Sequence, residues 1–255
     1  DSAVSRGLGD VYKRQFLFDT GEVFCAGWQG SGEKGDGGTN NRYYTKRVGR
    51  TNNNGGGFDY NQQIQTYQGS KSQRGQGLMI DIQAIKIGTS NEGDYANNSS
   101  SVMGALDIDG QLWTWGYNGH SGLGRNFRYN NNWYNSYVPS KIPQQVFDNR
   151  KIRDFWLGGG NYQQGHALDE DGNLWGWGYN GYGALGLGDD QYQGQPRKVP
   201  YDFNRHGGIK KIIKAGYNSY VMTAVLTHDG VMHVAGYLPW VGCLLYTSDA
   251  ADEPL

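Results

Sequence analysis

The sequence predicts an all-β fold, and three observations carry that prediction. One phrase recurs four times, as LFDTGEVFCAGWQG, LDIDGQLWTWGYNG, LDEDGNLWGWGYNG and LTHDGVMHVAGY. Each copy has a turn glycine (Gly21, Gly110, Gly172, Gly230) and a second glycine six positions further on (Gly27, Gly116, Gly178, Gly236). In three copies the turn is Asp-Gly between short apolar runs, which supplies the positive φ angles that a tight β-hairpin demands. The composition agrees, because 42 Gly and 6 Pro among 255 residues are too many for a helix bundle. With 36% hydrophobic residues and no apolar run approaching the ~18 residues of a helical membrane span, the chain can bury a core and has no membrane-inserting segment. A formal charge of −1 gives no global attraction to nucleic acid or an anionic membrane, so a charged partner would have to be read by a local patch. Cys25 and Cys243 are too few for a disulfide framework.

Taken along the chain, residues 1–15 (DSAVSRGLGDVYKRQ) and 243–255 (CLLYTSDAADEPL) share neither the periodicity nor the composition of what lies between them. Both resemble translated adapter or linker sequence of the kind that contaminates assembled environmental reads. They are expected to be non-native ends, leaving 16–242 as the repeat domain of a metagenomic fragment and the compartment open. The first copy, from Leu17, is weak, with Phe24 where the strong copies have Trp. The turn glycines are 89, 62 and 58 residues apart, so the unit is near 60 residues and the first interval holds a flexible insertion, placed near 40–77. QAIKIG, closed by Gly88, reads as a strand. In the second copy Leu112 and Thr114 alternate with Trp113 and Trp115 before the pattern departs at Arg125-Asn126 into FRYNNNWYNSYVPS. The third copy repeats the alternation with Leu174 against Trp175 and Trp177. IKKIIKAG is another strand, and the fourth copy, from Leu226, has His233 in place of the first Trp. Units of three or four short strands that bury their faces on one another describe the blades of a β-propeller.

The third copy carries the most specific pattern: Asp171-Gly172, Leu174-Trp175, Trp177-Gly178, Asn180, Gly183, Leu185-Gly186, Gly188-Asp189 and Pro200. The second keeps Trp113, Trp115, Gly116, Asn118, Gly122, Leu123 and Gly124. This pattern resembles the repeat of the regulator of chromosome condensation family, over roughly residues 16 to 240 and most strongly over 101 to 230. The resemblance implies a seven-bladed propeller, of which about four blades are present in this sequence. It also implies guanine nucleotide exchange or a chromatin-associated regulatory role as an alternative function, although repeats alone do not transmit an activity.

Several motifs invite a chemical reading and fail on context. Gly30-Ser31-Gly32-Glu33-Lys34-Gly35 fits GxGxxG, but no amphipathic helix follows to receive a phosphate, so it reads as a blade loop and no cofactor is expected. Asp169, Glu170 and Asp171 hint at a calcium loop, yet Gly178 stands where the bidentate Glu belongs, so they read as hairpin-turn residues. Among the five histidines only His228 and His233 could meet across a hairpin, and no zinc spacing appears. Cys25 occupies the strand position of Thr114 and reads as a small buried side chain. No nucleophile with a base at a catalytic spacing is found, so no catalytic and no metal residues are assigned and the protein is read as a non-enzyme.

The expected function is therefore that of a scaffold that binds a macromolecule, most plainly a protein, with a virion or cell-surface role as a refinement from composition. Its contacts are assigned to polar-aromatic loops: Tyr117 and Asn118, Tyr179 and Asn180, Trp133, and the basic insertion with Arg42, Tyr43, Tyr44 and Arg47. Basic groups interleaved with rings also suit single-stranded nucleic acid, but the rest of the chain is not basic and that partner is not favoured. A glycan-binding propeller is a further alternative. Gly110, Trp113, Trp115, Gly116, Gly172, Trp175, Trp177, Gly178, Gly230 and Gly236 recur in register and are assigned to the structure of the repeat.

Overall fold

The structure is a computed structural model that describes residues 6–8, 13–27, 32–33, 35, 42–48, 81–88, 101–126, 128–129, 132–133, 135–158, 162–217 and 220–237. Seventeen strands are described, and apart from short 3-10 turns no helix is among them. They form four successive antiparallel sheets. The first is β1 (Arg6–Leu8), β2 (Lys13–Leu17), β3 (Val23–Gly27) and β4 (Arg42–Arg47). The second is β5 (Ile82–Gly88), β6 (Val102–Asp107), β7 (Leu112–Gly116) and β10 (Ser136–Lys141), with a hairpin of β8 (Arg128–Tyr129) and β9 (Asn132–Trp133) inserted before its last strand. The third is β11 (Ile152–Gly158), β12 (Gln164–Asp169), β13 (Leu174–Gly178) and β14 (Gln193–Lys198). The fourth has three described strands, β15 (Ile209–Tyr217), β16 (Tyr220–Thr227) and β17 (Met232–Gly236).

Each repeated phrase is thus the second and third strand of one sheet, joined by the glycine turn. Gly21, Gly110, Gly172 and Gly230 have φ between +76° and +90°, which a residue with a Cβ adopts only at a cost. The first strands meet across the seams between sheets, β1 on β5, β5 on β11 and β11 on β15, as strands around a common axis do. The core lies in the seams. Val23, Cys25, Ile85, Met103, Trp113 and Trp115 join the first two sheets. Leu106, Ile142, Phe155, Leu157, Trp175 and Trp177 join the second and third, and Leu168, Leu185, Val199, Ile212 and Val225 join the third and fourth.

Two segments singled out in the sequence contribute strands. Arg6–Leu8 and Lys13–Leu17 pair as β1 and β2, with Phe16 opposite Phe24, so the first sheet crosses the expected boundary at residue 15. Backbone pairing is indifferent to side-chain composition, which was the signal that set the boundary. Within the segment near 40–77, β4 pairs to β3 in the place of a fourth strand. Residues 49–80 and 243–255 lie outside the described residues. The fourth strands escaped the sequence reading because Gln193–Lys198 has one buried residue, Pro196, and carries little alternation.

Candidate functional site

The repeat builds a fixed frame beneath its loops. Asp107 and Asp169, the last residues of β6 and β12, are buried and hold the hairpin turn. Asp169 Oδ1 accepts from the backbone N–H of Asp171 (3.0 Å) and Asn173 (2.8 Å), and Oδ2 accepts the indole N–H of Trp175 at 2.9 Å. Asp107 repeats this with Asp109, Gln111 and Trp113. Its burial raises the carboxyl above its ordinary value, against the pull of the Trp113 hydrogen bond. In the fourth copy Thr227 stands in the place of this Asp, and Asp229 accepts both its hydroxyl (2.6 Å) and the N–H of Val231 (3.2 Å). The Thr227 hydroxyl and His206 hold the Asp229 carboxyl down to about 2.

The second Trp of each strong copy ties its sheet to the preceding one. Trp115 Nε1–H donates to the carbonyl of Glu33 at 2.8 Å, and Trp177 Nε1–H donates to that of Gly122 at 2.9 Å. Both acceptors sit six residues after the glycine that closes a third strand. Gly35 and Gly124, two residues further on with φ of +66° and +67°, lie so close that an added Cβ would stand 2.9 Å from the Trp115 and Trp177 indole nitrogens. The last glycine of the GxGxxG string, Gly35, is therefore a floor for an indole.

The side chains of Asn118 and Asn180 are turned inward, 1% and 0% exposed. Asn118 Oδ1 accepts from the N–H of Leu123 (3.1 Å) and Asn180 Oδ1 from that of Leu185 (2.8 Å), so these amides shape the loops. Tyr179 is buried as well, at 6%, while Tyr117 is half-buried. The exposed rings of these loops are other residues than the four named from the sequence. Burial and the neighbouring Tyr162 hydroxyl raise the Tyr117 phenol above its ordinary value. Arg42, Tyr43, Tyr44 and Arg47 lie on β4 and Trp133 on β9, and their side chains fall outside the described residues.

The rings that do meet at this end of the sheets form the same arrangement twice. His120 stacks on Tyr162 of the next sheet, centroids 4.6 Å apart at 17°, and both touch Tyr179 at 5.5 and 4.7 Å. One repeat on, Tyr182 stacks on Tyr220 at 5.9 Å, and both touch Tyr237 at 4.9 and 4.5 Å. His120 and Tyr182 occupy one repeat position, Tyr162 and Tyr220 a second, Tyr179 and Tyr237 a third. His120 and Tyr182 both have left-handed backbones, φ 52° and 60°, a strain of about 1 kcal/mol or more for each that the loop holds. Tyr182, Tyr220 and Tyr192, which touches Tyr179, are 53%, 46% and 50% exposed. The sequence signal was available: these pairs have the same spacings as Trp113/Trp175 and Leu168/Leu226, but only contact across a seam gives the spacing meaning.

Other singled-out residues have structural surroundings. Cys25 is buried between the first two sheets. His233 packs against Tyr201, Phe203 and His206, and His228 is exposed in the turn. Among the described residues no group of three or more His, Cys, Asp or Glu is placed to hold a metal ion, and no helix is long and apolar enough to cross a membrane.

Successive antiparallel sheets joined through seams, the second and third with the same Asp–Trp turn and indole tie, define a β-propeller repeat protein. Its repeat is that of the regulator of chromosome condensation (RCC1), matched over residues 171–221, and the chain is a protein of RCC1-type repeats. It is 32% identical over 136 residues to the ultraviolet-B receptor UVR8 of Arabidopsis thaliana, covering 52% of this chain and 27% of that protein. It is 34% identical over 131 residues to the mitochondrial RCC1 domain-containing protein RUG3 of the same plant, covering 51% and 26%. Among solved structures, human WBSCR16 superposes with a TM-score of 0.57 at 18% identity over 92% of this chain and 48% of that one. Yeast RCC1 (Prp20) bound to Kap60 gives 0.61 at 15% identity over 92% and 44%. The chain thus spans about a quarter of the length of the curated relatives it matches and less than half of these solved chains.

Proposed function

We propose that the protein is a non-catalytic scaffold that binds a protein partner through the loop face that carries the two aromatic triads. The observation that carries this reading is the exposure of Tyr182, Tyr192 and Tyr220 on a frame held by buried amides and strained backbone. Rigid tyrosines present a large contact area at little conformational cost, which is how binding surfaces are commonly built. The solved yeast relative, which holds Kap60, supports a protein as the class of partner.

The test is affinity capture with the wild-type chain and with the double variant Tyr182→Ala, Tyr220→Ala, followed by direct titration of the captured protein. A partner whose dissociation constant rises at least about tenfold in the double variant is expected, since two exposed ring contacts are worth about 1–2 kcal/mol or more in sum. A partner that binds both chains equally would remove the triad face from the reading. Accelerated release of labelled guanine nucleotide from a GTPase panel would favour nucleotide exchange instead, and a substrate turned over by the purified chain would end the non-catalytic reading.

A further inference from the structure

Of the two aromatic triads, the later one consists of phenols alone. Tyr182 lies in the turn Gly181–Gly183 of the third sheet, Tyr220 opens β16 and Tyr237 follows β17. All three pairs are in ring contact. Centroids are 4.9 Å apart for Tyr182 and Tyr237, 5.9 Å for Tyr182 and Tyr220, and 4.5 Å for Tyr220 and Tyr237. These are the separations of packed rings, whose edges touch. In the earlier triad His120 holds the place of Tyr182, so the ring stacked on Tyr162 across that seam is an imidazole. A single residue therefore decides whether the seam is bridged by two phenols.

The backbones under these rings are fixed. Asn180, two residues before Tyr182, accepts the Leu185 N–H on Oδ1 and donates from Nδ2 to the Asp189 carbonyl, both at 2.8 Å. The Gly183 N–H closes the turn on the Asn180 carbonyl at 3.0 Å, and the Tyr237 N–H donates to the Val221 carbonyl at 2.9 Å, which holds Tyr237 beside the start of β16. The rings themselves keep a broad, two-fold Cβ–Cγ torsion, so a flip presents either carbon ortho to the hydroxyl to a neighbour. They are also within reach of a dissolved oxidant. Tyr182 and Tyr220 are 53% and 46% exposed and Tyr237 is half-buried, whereas Tyr179, which holds the place of Tyr237 in the earlier triad, is buried.

We propose that the later triad is an oxidative modification site, at which a peroxidase-type one-electron oxidant joins Tyr182 to a tyrosine of the fourth sheet as dityrosine. Each phenol gives one electron and its hydroxyl proton to the oxidant. The two phenoxyl radicals form one carbon–carbon bond between positions ortho to their oxygens, and the hydrogen on each bonded carbon moves to the adjacent oxygen, which restores two phenols. The two electrons and two protons reduce one hydrogen peroxide to two waters. Radicals formed on rings already in contact couple within the chain, because the geometry that a collision would have to find is already held. The bond staples the third sheet to the fourth. The chemistry needs no partner protein, so its failure and that of the scaffold reading are separate.

The test is oxidation of the full chain by a haem peroxidase and hydrogen peroxide, at a dilution that disfavours coupling between molecules. The expected product runs as one chain, is lighter by two hydrogens, shows dityrosine fluorescence and yields on digestion a linked peptide pair that joins Tyr182 to Tyr220 or Tyr237. Its melting temperature is expected to rise, since the staple closes a loop in the unfolded chain. Tyr182→Phe keeps the exposed ring without the phenol, and is expected to lose both the linked pair and the gain in melting temperature. Linkage confined to Tyr220 and Tyr237, linkage spread over the other tyrosines, or the same pattern from a chain oxidised in urea overturns the proposal. So does the absence of an intramolecular product, or a gain in melting temperature that Tyr182→Phe retains.

Discussion

At the scale of the residue, the indole N–H separates two roles that the letter W alone conflates. Trp175 donates within its own sheet to Asp169, whereas Trp177 donates across a seam to Gly122. Trp177→Phe keeps most of the apolar area but removes the donor and leaves a buried carbonyl unmatched. It is expected to cost about 1–3 kcal/mol, read as a fall in the urea midpoint with an unchanged m-value. The sequence assigns both tryptophans to the repeat's structure from their recurrence in register, and Trp175 and Trp177 are 4% and 0% exposed. It did not show that Asn118 and Asn180 point inward, because an Asn beside a Tyr in a loop reads equally well as a contact or as a brace. Only the distance to the Leu123 and Leu185 amides decides between them.

At the scale of the element, the repeated glycines are not equivalent. Gly178 has φ +94° and an added Cβ would stand 2.2 Å from the Gln163 carbonyl oxygen, a backbone atom that cannot step aside. Gly188 has φ +80° and nothing within 4 Å. Gly178→Ala is therefore expected to lose more than about 3 kcal/mol, and Gly188→Ala only the roughly 1–2 kcal/mol of a left-handed backbone. Thermal melts of the two variants side by side check this, and equal losses would show that the close approach at Gly178 relaxes. The β-hairpins were legible from Asp-Gly and alternation, but the fourth strands were not. Arg42–Arg47 pairs with β3 through a register shift, and residues in such edge positions need no apolar period.

At the scale of the whole molecule, the seam that holds Lys214 couples stability to pH. Burial lowers the ammonium from its ordinary 10.5 to about 7. Between those values the unfolded chain carries a proton that the folded chain does not, so raising pH through that window favours the folded state; below about 7 both are protonated and the effect is flat. Urea unfolding at pH 7 and pH 9.5 is expected to show higher stability at the upper value, with a smaller gain in Lys214→Met. An identical pH response in both chains would remove Lys214 as its source. The aromatic triads belong to this scale too, since each joins residues of two sheets and neither sheet alone contains the site.

The sequence by itself determined the repeat, the strand-turn-strand unit and the propeller class, because hairpin turns and alternating faces are local and leave a period in the letters. Tertiary structure alone decided which rings are exposed and how His120 finds Tyr162 and Tyr182 finds Tyr220. Those facts depend on contacts across seams between residues dozens of positions apart, and such contacts are set by how one sheet is rotated against the next, which no local pattern encodes.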